Sequence, residues 1–247
     1  MILGNMELTE KLTFDNDDRK DIYEYVESHG SARESEVRRA LGFEPGAFGH
    51  HLAILRRDGY VRKRGDRLEV AYEDAGVDRH ETDIEFSIRQ ARQADLSGLV
   101  GTIRQVAEEG TYIEAENVGD VLDHEEVVLR HNEVQSRIFF VACIDEEVVG
   151  WVHLDLPELE KLAHTAVLTV GILPQYRGHG IGSALLERGT EWARTHGFEK
   201  LYNSVPASNE SAIEFLRGHG WETEATRADH YQIDDGYVDE VMMAAWI

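Results

Sequence analysis

One stretch, residues 168 to 196, constrains the fold more than any other part of this chain. Residues 168–173 form an apolar run that stops at Pro174, as a buried strand does when it meets a residue without an N–H. Apolar residues recur at helical spacing from Ile181 to Trp192. Between them lies a turn with three glycines at alternate positions, which are Gly178, Gly180 and Gly182. The sequence therefore predicts a strand that leads through a glycine-rich turn into a helix.

This arrangement predicts an anion-binding site. The first turn of a helix leaves backbone N–H groups unpaired and carries the positive end of the helix dipole. Glycines lack the Cβ atoms that would hold a ligand away from those groups. Arg177 adds a permanent positive charge at the mouth of the turn. A phosphate or pyrophosphate is the expected ligand.

The residue pattern of the turn resembles that of one protein family. No Gly-Lys-Ser/Thr closes it, and its glycine spacing differs from the dinucleotide fingerprint. Arg-x-x-Gly-x-Gly between a strand and a helix resembles the acetyl-CoA pyrophosphate loop of the GNAT superfamily of N-acyltransferases. The resemblance implies acetyl-CoA as co-substrate and no metal. It implies that the residues binding the cofactor are Val170, Gly171, Ile172, Arg177, Gly178, His179, Gly180, Ile181, Gly182 and Asn209.

The order of elements predicted after residue 84 supports the same resemblance. Strands and helices follow as β-α-α-β-β-β-α-β-α-β-β, with the two helices of the first pair at 95–108 and 120–131. Asn209, followed by Ala212 to Phe215 and Gly220-Trp221, is similar to a helix of that family. The expected fold class is α/β (α+β): a GNAT fold whose mixed, mostly antiparallel sheet is flanked by helices, preceded by a small winged-helix domain.

The catalytic groups are harder to assign from the sequence. Family members that acetylate ribosomal proteins carry a Tyr acid and a Glu base at positions where this chain has Leu216 and Ser204. Substitute candidates are His164, Tyr231 and Tyr237, each of which ordinary packing or surface placement would also explain. Tyr112 borders the expected acceptor pocket, where Glu114 and Glu116 could attract a cationic amine.

The N-terminal part predicts a separate domain. Three short helices and a hairpin fit residues 1–77, a polar stretch at 78–83 is the expected linker, and 84–247 form the acetyltransferase domain. HLAILRRDGYVRKRGDRLEV resembles the wings of archaeal transcription regulators. Such a domain could bind double-stranded DNA or serve as a dimer contact, since fold alone does not decide function. The residues expected at DNA are His50, His51, Arg56, Arg62, Lys63 and Arg64.

Composition limits the remaining classes. The chain has 25 Lys and Arg against 48 Asp and Glu, a formal charge of −23, and resembles proteins of halophilic archaea in this respect. It has no long apolar run and no signal-peptide pattern, so we expect no membrane partner and a cytoplasmic location. The single cysteine, Cys143, permits no internal disulfide and lies in a strand-like run, which indicates a buried thiol.

Two functions are consistent with these features. The first is an N-acetyltransferase that moves the acetyl group of acetyl-CoA to a primary amine by direct attack, with a winged helix for DNA contact or homodimerisation. The second is an acyl-CoA-sensing transcription regulator with a weak or inactive acetyltransferase domain. The acceptor amine is open in both.

Overall fold

A computed structural model describes residues 12–72, 76–109, 112–157, 159–233 and 235–247. Its first 61 described residues form a small unit of three helices and a three-stranded antiparallel sheet of order β1-β3-β2. The elements are α1 (Asp17–Ser28), β1 (Ala32–Arg33), α2 (Glu34–Ala40), α3 (Pro45–Arg57), β2 (Val61–Arg64) and β3 (Arg67–Val70).

Apolar side chains on one face of each helix make the core of this small unit. Ile22 and Val26 of α1, Leu55 of α3 and Leu68 of β3 are almost fully buried. The sequence predicts a helix over 31–41, and α2 begins three residues later because residues 32 and 33 pair with β3 instead. The Glu36 carboxylate accepts a hydrogen bond from the Arg33 N–H at 3.0 Å and fixes this start.

The rest of the described chain is organised around one large sheet. Its strand order is β11-β12-β10-β9-β8-β7-β5-β4, with β6 paired to β7, and every described pairing except β9 with β10 is antiparallel. The strands are β4 (Val77–Glu81), β5 (Glu85–Gln90), β6 (Arg130–His131), β7 (Ser136–Ile144), β8 (Glu147–Leu156), β9 (Thr165–Ile172), β10 (Lys200–Pro206), β11 (Glu222–Ile233) and β12 (Gly236–Trp246). The helices are α4 (Leu96–Ala107), α5 (Ile113–Glu125), α6 (Ile181–Thr195) and α7 (Glu210–Gly218).

Helices cover both faces of the centre of this sheet. Helix α6 packs on the face that carries Val152 and Leu168, because both side chains approach Gly189. Helices α4 and α5 cover the opposite face, where the Trp151 side chain is fully buried. A mostly antiparallel sheet flanked by helices is the expected fold class. Cys143 is buried on β7, and burial raises the pKa of its thiol.

Two segments differ from the sequence-based expectation. The polar stretch predicted as a linker contributes β4, which pairs with β5 from Val77 to Glu81. The Asp78 carboxylate also pairs with Arg188 of α6 at 3.0 Å. Helix α5 begins seven residues before the predicted 120–131 helix. It ends at Glu125, because Glu126 adopts a left-handed φ of 55° that does not continue a helix.

The small unit is joined to the large one by a buried carboxylate. Glu27 of α1 is 4% exposed and pairs with Arg130 at 3.2 Å. It also accepts hydrogen bonds from the His131 N–H at 3.2 Å and from Asn132 Nδ2 at 3.0 Å. The Tyr23 hydroxyl donates to the His131 carbonyl at 2.9 Å. A charge this deeply buried persists only when it is fully paired, so this contact holds the two units in one arrangement.

Candidate active site

A fork between two strands opens into a cavity of the described structure. Strands β9 and β10 pair only from Thr165 to Val167 on the β9 side. At the point where pairing ends, Asn203 Nδ2 donates to the Leu168 carbonyl at 2.6 Å. Beyond it, the ends of both strands line a cavity of about 450 Å³.

The backbone of β9 offers hydrogen-bonding groups to this fork. In an antiparallel ladder alternate residues turn their N–H and C=O toward the same neighbour. The Leu173 N–H points to β8, where it reaches the Val149 carbonyl at 3.0 Å, so Val170 and Ile172 point the other way. The Ile172 carbonyl accordingly accepts from Arg177 Nε at 3.1 Å. The N–H and C=O of Val170 are therefore turned toward the cavity.

The two faces of β9 divide the cavity into two sides. We call the side next to the start of α6 the cofactor side and the side next to the start of α5 the acceptor side. On the cofactor side, Ile172 faces α6, and a Cβ on Gly182 would lie 2.7 Å from the Ile172 Cδ1 atom. On the acceptor side, Gly171 faces the start of α5, and a Cβ there would overlap the Trp151 indole. Close packing rather than a turn therefore favours both glycines, most strictly Gly171, because the Ile172 Cδ1 atom beside Gly182 ends a flexible side chain and the Trp151 indole is rigid.

The glycine-rich turn opens the cofactor side. Gly178 and Gly180 have φ of 85° and 83°, a left-handed conformation that favours glycine. Gly180 is the N-cap of α6, and a Cβ on either residue would meet no atom within 4 Å. The first N–H groups of α6 therefore face open space, which suits the diphosphate of a coenzyme A molecule.

Eight of the ten residues expected to bind the cofactor line the cavity, and His179 and Ile181 do not. The His179 ring turns away to pair with Asp83 at 2.5 Å, an interaction that lowers the pKa of that carboxyl. Ile181 is 1% exposed in the apolar core. Asn209 lines the cavity and also caps α7, because its side chain accepts from the Ala212 N–H at 3.2 Å.

Arg177 connects the turn to the segment that precedes α5. Its guanidinium pairs with Glu109 at 3.0 Å and lies 5.4 Å from the centre of the Tyr112 ring. Tyr112 itself lines the cavity. The sequence did not identify Glu109 as part of the site, because it is one of many acidic residues in this chain and most of those are expected to be exposed.

The acceptor side carries a pair of carboxylates. Glu114, in the first turn of α5, lines the cavity beside Pro206. Glu240 of β12 stands opposite Pro206 in the ladder and is 4% exposed. Burial, and next the charge of Glu240, raises the pKa of Glu114, while His230 opposes the shift. A carboxylate with a raised pKa in a cavity is suited to accept a proton.

The neighbours of Glu240 come from strand β11. Arg227 pairs with Glu240 at 2.8 Å, and His230 Nε2 lies 3.6 Å from the same carboxylate. The Tyr231 hydroxyl donates to it at 3.4 Å. Burial and then the Glu240 charge raise the pKa of Tyr231, so that side chain keeps its proton at neutral pH.

The structure brings only one of the three proposed catalytic residues to this site. Tyr231 lies beside Glu240, as described. His164 is exposed just before β9, at the end of that strand remote from the cavity. Tyr237 is 69% exposed beside the turn between β11 and β12. Glu116 is exposed on α5. Glu240 was missed, since an acidic residue in an acidic strand gives no signal until its burial is known.

The proposed DNA-binding residues lie on α3 and on the β2–β3 hairpin of the small unit. Most of them have carboxylate partners. Arg62 and Arg64 pair with Glu69 at 3.3 and 3.5 Å, and Lys63 pairs with Glu34. His51 lies 3.3 Å from Asp18, and His50 and Arg56 are exposed.

Comparisons with known proteins agree with this architecture. The family model for the acetyltransferase (GNAT) family matches residues 104–221. An N-alpha-acetyltransferase of Sulfurisphaera tokodaii is 33% identical over 128 residues, which cover 47% of this chain and 74% of the relative. The L-amino acid N-acetyltransferase AaaT of Escherichia coli is 29% identical over 108 residues, which cover 42% of this chain and 65% of the relative.

Solved structures share the fold. A ribosomal-protein-alanine N-acetyltransferase from Brucella melitensis is 26% identical with a TM-score of 0.53, covering 65% of this chain and 99% of that one. A putative acetyltransferase from Salmonella typhimurium, solved with its cofactor acetyl-CoA, is 18% identical with a TM-score of 0.53. It covers 65% of this chain and 93% of its own length.

Fold and site together define an acyltransferase that uses a coenzyme A thioester. More particularly, the chain belongs to the GNAT family and is an acetyl-CoA-dependent N-acetyltransferase. None of the helices in the described ranges is long and apolar enough to cross a membrane.

Proposed function

We propose that this enzyme acetylates a primary amine by direct attack within a ternary complex, with Glu114 as the proton acceptor. The observation that carries the proposal is the position of Glu114, a cavity-lining carboxylate with a raised pKa on the acceptor side of the β9–β10 fork. Acetyl-CoA, when bound, supplies the acetyl thioester that the amine attacks. The chain's own groups do the rest.

Each side of the cavity has a task in this proposal. The N–H groups at the start of α6 and the Arg177 guanidinium hold the diphosphate. The Val170 N–H polarises the thioester carbonyl from the fork. Glu114 takes the proton that the ammonium loses, and Tyr231 and Arg227 hold Glu240 in place. The amine nitrogen then forms the amide bond as the C–S bond of the thioester breaks, and coenzyme A leaves as a thiolate that takes up a proton from water.

Titration calorimetry of acetyl-CoA tests the cofactor half of the proposal. Gly180→Glu places a carboxylate at the N-cap of α6, so we expect binding to be lost. Gly197→Glu is the matched control, because Gly197 lies just beyond the other end of α6 with a φ of 85°, and a Cβ there would meet no atom within 4 Å. Equal binding by wild type and Gly180→Glu would refute the site.

We also propose that residues 12–72 form a winged helix that contacts DNA through α3 and the β2–β3 hairpin. Three helices followed by a hairpin, with α3 exposed on one side, support this proposal. The carboxylates paired with Arg62, Lys63 and Arg64 weaken it, because they reduce the positive field that draws phosphates.

Mobility shift of double-stranded DNA tests this second role. The triple change of Arg62, Lys63 and Arg64 to Ala should abolish retardation, and Glu69→Gln should increase it by freeing two arginines. Absence of retardation by wild type, with a dimer mass in light scattering, would favour a dimer contact instead.

The acidic composition supports a third proposal, adaptation to high salt. At about 1 M salt the Debye length is about 3 Å, so repulsion within the −23 surface would be screened. Thermal unfolding should therefore move to higher temperature as KCl is raised, and a fall would refute the proposal.

A further inference from the structure

The charges around the acceptor side are unevenly placed. Glu114 and Arg177 are the charged residues among the described residues that line the cavity. Glu114 stands on the acceptor side, and Arg177 stands on the cofactor side with its guanidinium already paired to Glu109 at 3.0 Å. A negatively charged group on an acceptor would thus lie near the Glu114 carboxylate, while the Arg177 guanidinium is already paired with Glu109.

The charged residues behind the cavity lining do not cancel this excess of negative charge on the acceptor side. Glu240, which stands opposite the cavity-lining Pro206, adds a second carboxylate, and after burial its charge contributes to raising the pKa of Glu114. Arg227 offsets Glu240, with which it pairs at 2.8 Å, and the His230 ring lies 3.6 Å from the same carboxylate, so both groups are directed to Glu240. Within the described part of the chain no ion pair or hydrogen bond engages the Glu114 carboxylate. One negative charge therefore remains uncompensated where the amine must bind.

We infer that the acceptor is a primary amine that has no carboxylate on the carbon bearing its nitrogen, and that Glu114 and Glu240 exclude free α-amino acids. The inference rests on the proposed function and adds to it the acceptor class. The α-carboxylate of an amino acid lies within a few Å of its amine, so it would be held beside Glu114 without a free cation. An amide-linked or alkyl neighbour carries no such charge and meets no repulsion.

Two sources share this chemistry, the N-terminus of a polypeptide and a small alkylamine. A matched set of acceptors separates them and tests the rule. L-Alanine and L-alaninamide differ in charge and hardly in shape. Trialanine amide represents the polypeptide N-terminus, and 1,3-diaminopropane represents the alkylamines.

The first measurement is kcat/KM of wild type for each acceptor at saturating acetyl-CoA. With kcat/KM referred to the concentration of free amine, so that the lower basicity of the amide is removed, L-alaninamide should exceed L-alanine by about tenfold or more, because like charges a few Å apart near a protein surface interact by more than the energy of a tenfold change. A wild-type preference for L-alanine would overturn the inference.

The second measurement uses Glu240→Gln, which removes one carboxylate and frees Arg227 to meet an acceptor carboxylate. The alaninamide-to-alanine ratio should fall by about tenfold in this variant. Glu116→Gln, an exposed position on the same helix as Glu114, is the control and should keep the wild-type ratio. Comparing ratios between variants cancels the different basicity of the two free amines. An unchanged ratio in Glu240→Gln would overturn the inference.

Titration of both acceptors into protein saturated with coenzyme A reports the same preference without turnover. It separates two failures. Binding of acetyl-CoA with acetylation of no amine would refute the proposed function. Acetylation or binding that favours L-alanine would refute only the acceptor class.

Discussion

The two sides of the cavity differ in the kind of group that they present, backbone on one side and side chains on the other. On the cofactor side the groups that we propose to bind the ligand are mostly backbone: the N–H groups that start α6, opened by Gly178 and Gly180. On the acceptor side the proposed groups are side chains: Glu114 comes from α5, and Glu240 and Tyr231 come from the β11–β12 hairpin more than a hundred residues later.

This difference separates two kinds of robustness. A backbone site tolerates changes in the side chains around it but fails when a Cβ or a charge enters the space. A side-chain site depends on each carboxylate and its neighbours, because their proton affinities are set jointly. The predictions below test this contrast, from the largest expected effect to the smallest.

Glu114→Gln should lower kcat by about a hundredfold or more, since general base catalysis contributes roughly 10²- to 10⁴-fold. The amide keeps the shape of the carboxylate but cannot take the proton. Acetyl-CoA affinity, measured by calorimetry, should stay at the wild-type value. A parallel loss of cofactor binding would show that the two sides are not separate.

Gly171→Ala should destabilise the protein by about 1–3 kcal/mol, the usual cost of forcing an extra methyl group into a packed core. The new Cβ would overlap the Trp151 indole, which is fully buried and cannot move aside. Chemical denaturation measures the change. Gly101→Ala is the control, because that helical position has no atom within 4 Å of a Cβ and should become slightly more stable.

Arg177→Gln should weaken acetyl-CoA binding by only about 1 kcal/mol, as expected for a partly exposed ion pair in water. Its side chain is 36% exposed, and the backbone N–H groups supply the remaining contacts. Titration calorimetry checks this against Gly180→Glu. A loss as large as that caused by the glycine variant would mean that side chains dominate the cofactor side as well.

Glu240→Gln should move the acidic limb of the pH–kcat profile to lower pH. The wild-type rate falls with decreasing pH as Glu114 takes up a proton, and the Glu240 charge raises the pKa at which this happens. Removing that charge lets Glu114 stay ionised to lower pH. A limb that shifts upward, or stays in place, would contradict the pairing of these carboxylates.

Local sequence patterns predicted the helices and strands well where a single stretch of sequence determines the element. The spacing of Ile22, Tyr23 and Val26 predicts a helix over 17–28, which are the bounds of α1, and the strand, turn and helix around Gly180 form as expected. Helix α5 was misplaced because Val127 and Val128 continue an apolar pattern, although both are buried in the irregular segment after the helix ends. The polar 77–81 stretch lacked an apolar pattern because β4 lies at the sheet edge with its side chains largely in solvent.

The sequence by itself determined the fold family and predicted the glycine-rich turn that we propose for the cofactor, because glycine spacing and helix polarity act through neighbouring residues. Only the tertiary structure decided the acceptor side. Whether Glu240 or His164 matters depends on which one is buried at the fork, and strand order alone brings β12 beside β10 while leaving His164 at the remote end. Desolvation and charge proximity, which set the chemistry of a carboxylate, arise only when distant segments pack together.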